Sequence, residues 1–136
     1  MISIHFEDVD PVGISSFKIN DWLNTVVLNE NNSLGEVSIV FGSDKWLLEY
    51  NIKHLNHDYY TDIITFDYST KNLVSGDLLI SLERVYENAI DLNVSRETEL
   101  NRVIVHGVLH LCGYTDKSDS DKKIMREKED YYLSLL

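Results

Sequence analysis

His106-Gly107-Val108-Leu109-His110-Leu111-Cys112-Gly113-Tyr114-Thr115-Asp116 carries two histidines four residues apart. On an α-helix that spacing sets them one turn apart and about 40° around the axis, so both imidazoles leave the same face. Gly113 follows three residues after the second histidine and can take the left-handed conformation that ends a helix. The turn it makes swings Asp116 back towards the pair. Two neutral imidazoles and one carboxylate form a first shell for a single zinc per chain, with a fourth position open to water, the layout of a catalytic rather than a closed structural site. The expected ligands are His106, His110 and Asp116.

The helix that bears them also carries Leu100, Val103, Ile104, Val105, Val108, Leu109 and Leu111. It is apolar nearly all round, so it is expected to be the central, buried helix of the fold. Cys112 lies roughly 200° around the axis from His110 and reads as a core residue, not a ligand. The spacing matches that of the metzincin proteases with one difference: their general-base glutamate is Gly107 here. Glycine cannot take a proton from bound water, which weakens a peptidase reading and leaves the metal site intact.

Working outward, Ile2–Phe6 alternates as a strand, and Ser15 or Ser16 caps a helix running to about Glu30, its apolar face formed by Phe17, Ile19, Trp22, Leu23 and Val26 or Val27. Glu36–Phe41 is a second strand, and Gly42-Ser43-Asp44 stops it and caps a helix with Trp46, Leu47, Tyr50 and Ile52. His54 and His57 belong to a polar, aromatic loop, and Thr61–Asp67 is rich in β-branched residues and reads as a third strand. A link too short for a parallel crossover leads to Gly76–Ser81, so these two strands should pair antiparallel. Helices follow from Leu82 to Leu92, from Ser95 through the histidines, and from the capping box at Ser118–Asp121 to about Leu133. The charges at 122–130 read as a solvated face. The expected architecture is α+β: a single domain over 1–136, a small four-stranded mixed sheet packed with about five helices, and the metal site on the central helix.

Composition bounds the rest. The chain has 136 residues, 43% of them hydrophobic, one proline and one cysteine, which describes a globular domain with a proper core and no internal disulfide. No apolar run approaches the ~18 residues of a membrane span, and the start MISIHFEDVD has no secretory signal pattern. Cytoplasm is the expected location. The formal net charge is −11, which opposes non-specific nucleic-acid binding. Its distribution is uneven: residues 1–50 hold eight acids against two bases, and residues 116–136 hold six against five. A locally neutral cleft with a divalent cation still admits an RNA strand.

Three stretches together resemble the YbeY-type ribosomal RNA maturation factors, metal-dependent endoribonucleases of bacteria. His106–Tyr114 is similar to the family's H-G-x-L-H-L-x-G-Y signature, Thr61–Phe66 to its T-D-V-L-S-F strand, and Gly76–Ser81 to its G-D-I-x-I-S strand. Met125 and Glu129 suit its closing helix. The resemblance implies one Zn2+ per chain and cleavage of single-stranded RNA. It also implies a role in 3′-end maturation of 16S small-subunit rRNA and in ribosome quality control, with the ribosome or ribosomal proteins as partners. Two positions depart from the family's pattern: its usual third histidine ligand is Asp116 here, and an arginine thought to act on substrate phosphates is Leu55. The residues leave the general base open, and neither Asp62 nor Asp77 is given a role. A metal-stabilised assembly factor that does not cut RNA is the alternative, and a metalloprotease comes third.

Overall fold

The computed structural model describes residues 1–136. Nine elements follow one another: β1 (Ile2–Phe6), α1 (Ser16–Asn29), β2 (Ser33–Gly42), α2 (Asp44–Leu55), β3 (Ile63–Asp67), β4 (Leu73–Ser81), α3 (Leu82–Leu92), α4 (Arg96–Leu111) and α5 (Asp119–Leu133). Every helix starts in the same way. Ser15, Ser43, Ser81, Ser95 and Ser118 each place a side-chain oxygen where it accepts a backbone N–H three residues on, satisfying a donor that the helix itself leaves unpaired.

The sheet runs β1-β2-β4-β3. β1 pairs parallel with β2 and β2 parallel with β4, while β3 joins the edge of β4 antiparallel, with Ile63 opposite Ile80. The sheet is therefore mixed and four-stranded, as expected from the order of elements. β2 and β4 extend further towards their N-terminal ends than the sequence patterns indicate, because Ser33 and Leu73 pair with each other.

Alternation along the strands builds two apolar layers of unequal size. Val37, Ile39, Phe41, Val74, Leu78 and Ile80 face α1 and α4, whose Leu23, Val26, Val103, Ile104 and Val108 complete the main core. Leu79 and Ile64 point to the opposite side and form a small cluster with Leu47 of α2, edged by Trp46 and Tyr50 of α2 and by Val40 and Phe66 of the sheet. α4 is the central helix, with nine of its residues buried. Gly107 lets it lie close to the sheet: a Cβ there would come within 2.8 Å of Ile63 Cδ1 and 2.9 Å of Leu78 Cδ2.

Some details differ from the sequence reading. Phe17 is 80% exposed, because Ile19, Trp22, Leu23, Val26 and Val27 already fill the stripe that α1 turns inward. Ile52 is also exposed, and its neighbour Asn51 is the buried residue, donating to the Tyr59 carbonyl at 2.8 Å. His54 lies in the last turn of α2 rather than in the loop, stacked on Tyr50. The charged stretch of α5 is not wholly a solvated face, since Glu129 is buried.

Candidate metal centre

α4 ends at the glycine. Gly113 takes φ 108°, and its N–H bonds to the His110 carbonyl while that of Tyr114 bonds to the Leu109 carbonyl. This is the Schellman closure, which a side-chain-bearing residue enters only at a steric cost. The chain reverses there and returns Asp116 to the histidines. Asp116 Oδ2 lies 3.5 Å from Nε2 of His106 and 3.5 Å from Nε2 of His110. The two Nε2 atoms are 3.0 Å apart.

Each imidazole is fixed from behind. The Tyr114 carbonyl sits 2.9 Å from His110 Nδ1. A carbonyl only accepts, so Nδ1 carries the hydrogen and Nε2 the lone pair. The Glu129 carboxylate takes the same position behind His106, 2.7 Å from Nδ1. With both rings neutral, two lone pairs face each other across 3.0 Å, an arrangement that calls for a cation between them. Adjacent donors around a tetrahedral zinc are about 3.3 Å apart, so the three separations suit such a shell. The donor set of two imidazoles and a carboxylate therefore fits one transition metal ion, with a partner behind each ring of the kind that metal-bound histidines use.

Glu129 is the hub of this outer layer. It also accepts from Arg102 at 3.1 Å, and Arg102 reaches Asp130 at 2.9 Å. Burial works against a charged His106, but the Glu129 hydrogen bond and charge outweigh it and hold the ring above its ordinary pKa. On the other side of the turn, Tyr114 donates its hydroxyl to Glu30 at 2.5 Å. Glu30 also accepts from Tyr132 and Lys128. The loop that positions both the Tyr114 carbonyl and Asp116 is thus tied to the end of α1 and to α5.

A cavity of about 320 Å³ opens beside the triad, with His106, Asp116, Asp62, Glu99, Lys122 and Arg126 in its wall. Burial pushes the carboxyl groups of Asp62 and Glu99 above their ordinary pKa values. Asp62, the residue just before β3, therefore reaches the site. Asp77 does not: it faces the α2 side of the sheet, beside His5 and His54. Cys112 is half-buried, and burial pushes its thiol up to about 12, so it takes no part in the donor set. Between the histidines, Gly107 faces Ile63 and Leu78, leaving no room for a peptidase's glutamate.

The sequence reading brought together the three donors but missed the contact that steadies one of them. Its signal was present on α5, where the buried residues are Met125, Glu129 and Tyr132, a helical stripe with one acid in it. An acid on an apolar stripe is seldom buried unpaired. Glu30 gave no comparable signal, because its partners lie 84 and more residues away.

The family model described as Endoribonuclease YbeY matches residues 4–136. This chain belongs to that family. Among curated relatives, Endoribonuclease YbeY of Flavobacterium psychrophilum is 50% identical over 135 residues, covering 99% of this chain and 96% of the relative. That of Parabacteroides distasonis is 42% identical over 99% of this chain and 95% of its own length. The solution structure of TM1509 from Thermotoga maritima superposes with a TM-score of 0.70 at 30% identity, covering 98% of this chain and 87% of that one. The YbeY membership is thus carried by nearly the whole chain, including the N-terminal half where the sequence motifs are sparse. No helix is long and apolar enough to cross a membrane.

Proposed function

We propose that this YbeY-family chain is a zinc-dependent endoribonuclease that cleaves single-stranded RNA, one Zn2+ per chain, with His106, His110 and Asp116 as ligands. Its place is the cytoplasm, in 3′-end maturation of 16S rRNA and in ribosome quality control, with the ribosome or ribosomal proteins as partners. The observation that carries the metal reading is the convergence of the two Nε2 atoms, 3.0 Å apart, with Asp116 Oδ2 at 3.5 Å from each. The family membership supports the RNA reading.

When bound, the ion supplies Lewis-acid polarisation of a phosphoryl oxygen and acidification of water. The chain's own residues do the rest. Glu129 and the Tyr114 carbonyl hold the two rings with Nε2 forward. Asp62, in the wall of the same cavity and raised by burial, is placed to hold or accept a proton. Gly107, hemmed in by Ile63 and Leu78, has no side chain that competes for water.

The test is metal analysis of gently purified protein together with cleavage assays on single-stranded RNA, duplex RNA and casein, each with and without chelator. About one zinc per chain and chelator-sensitive cutting of single strands alone are expected. RNA binding without cleavage in the zinc-loaded protein would leave the non-cutting assembly factor as the better reading, and cleavage of casein the peptidase.

A further inference from the structure

Lys122 and Arg126 stand four residues apart on α5, so both project from one side of that helix, and both lie in the wall of the cavity that holds His106 and Asp116. Both are exposed. Arg126 has only a long contact, 3.6 Å to Glu129, and its side chain is 55% exposed. Lys122 pairs with no carboxylate: the lysine ion pair of this helix is made by Lys128, with Glu30. The third base of the cavity, Arg102, is already engaged by Glu129 and Asp130 and is 18% exposed.

These two cations matter because of the charge around them. The chain as a whole carries −11, and Asp62, Glu99, Asp116 and Glu129 line the same cavity. At physiological ionic strength charges more than ~8 Å away are largely screened. The distant acids of the N-terminal half therefore weigh little at the site, and the groups on the cavity wall decide whether a polyanion stays. Lys122 and Arg126 are the two there whose donors are free to turn towards a phosphate.

We propose that Lys122 and Arg126 bind backbone phosphates of the RNA strand on the α5 side of the metal centre, anchoring it electrostatically next to the bond that is cut. This rests on the endoribonuclease reading for its substrate and goes beyond it in naming the anchor. The strand would cross the cavity between α5 and the turn at Asp116.

The test is the salt dependence of binding, measured by fluorescence anisotropy of a labelled single-stranded oligoribonucleotide in chelator, so that binding is read without cleavage. For single strands the slope of log K against log salt changes by about 0.7 per phosphate contact. Lys122→Ala and Arg126→Ala should each reduce it by about that amount, and the double variant by their sum. Lys122→Arg and Arg126→Lys should keep it. Lys45→Ala with Lys71→Ala, exposed positions on α2 and in the β3–β4 turn, should leave it unchanged. With zinc restored, the double variant should show KM raised on the order of fivefold and kcat within about twofold, as loss of a rim charge implies. An unchanged slope in a folded double variant, or an equal drop in the Lys45/Lys71 control, overturns the proposal. If the wild type binds with the steeper slope yet cuts nothing, the nuclease reading fails and the anchor stands. If the wild type cuts and the slope does not move, the anchor alone fails.

Discussion

Glu129 Oε2 lies 2.7 Å from His106 Nδ1, across 23 residues of sequence. The carboxylate does two opposed things to the ring. It fixes Nε2 towards the donor cluster, and it stabilises the imidazolium that no metal will bind. Proton and metal therefore compete at His106, and the same acid favours both.

Glu129→Gln separates these effects. In metal-free protein the His106 pKa, followed by NMR, should fall towards the ordinary 6.5 from its raised position. The stability that the charged ring contributes is full below 6.5 and lost as pH rises through the raised value, so metal-free wild type should weaken over that window and the variant should not. Metal affinity should drop about 10–100-fold, the usual scale for losing a partner behind a ligand. Unchanged affinity in a competition titration would remove Glu129 from the site.

Asp116→Ala should bind zinc at least about tenfold more weakly. Asp116→His replaces a negative donor by a neutral one, makes the centre one unit more positive, and should tighten zinc binding and lower the pH midpoint of cleavage. If the alanine variant titrates zinc like wild type, the third donor lies elsewhere.

Gly107→Ala puts a methyl group against Ile63 and Leu78 at under 3 Å. Overpacking costs about 1–3 kcal/mol, and the better helix propensity of alanine offsets about 1 kcal/mol, so chemical denaturation should show a net loss of about 1 kcal/mol. Gly107→Glu should not yield folded protein, because the charge would be buried without a partner.

Tyr114→Phe removes one of the donors that hold Glu30. Burial works against the charged Glu30, but the hydrogen bonds from Tyr114, Tyr132 and Lys128 outweigh it and keep the carboxyl below its ordinary 4.5. That contribution stands above 4.5 and disappears as pH falls through the lowered value. Acid unfolding of the variant should therefore begin at a higher pH than in wild type. An identical acid transition would show that the tyrosine does not secure the turn.

Asp62→Asn should raise Tm, because it removes a carboxylate whose ionised form is penalised by burial. The same change should lower kcat while leaving KM nearly unaltered, since the amide cannot hold or accept the proton. A variant of unchanged kcat would make Asp62 a structural residue only.

What could be read from the residues alone follows a physical rule: signals confined to one element or one turn were legible. The histidine pair, Gly113 and Asp116 fall within eleven consecutive residues, and their meeting follows from helical pitch and one turn. The serine caps are equally local, and α3 and α4 are where the patterns put them. Phe17 was misplaced because a helix stripe drawn from hydrophobicity alone is wider than the surface available to it. The Glu30 cluster and the entry of Asp62 into the cavity depend on how α1, β3 and α5 are packed, which no local pattern carries. Glu129 stood between these cases: its place on an apolar stripe could be read, its partner could not.

The long reach of the Glu129–His106 contact also has a consequence in time. Chains are made from the N-terminus at roughly 5–20 residues per second, so for about one to five seconds the histidine helix exists without the acid that steadies it. Nascent chains in that interval would hold the His106 imidazole free to turn, while His110 already has the Tyr114 carbonyl behind it. Any ion captured then would be exchangeable, and α5, on docking, would set the occupant.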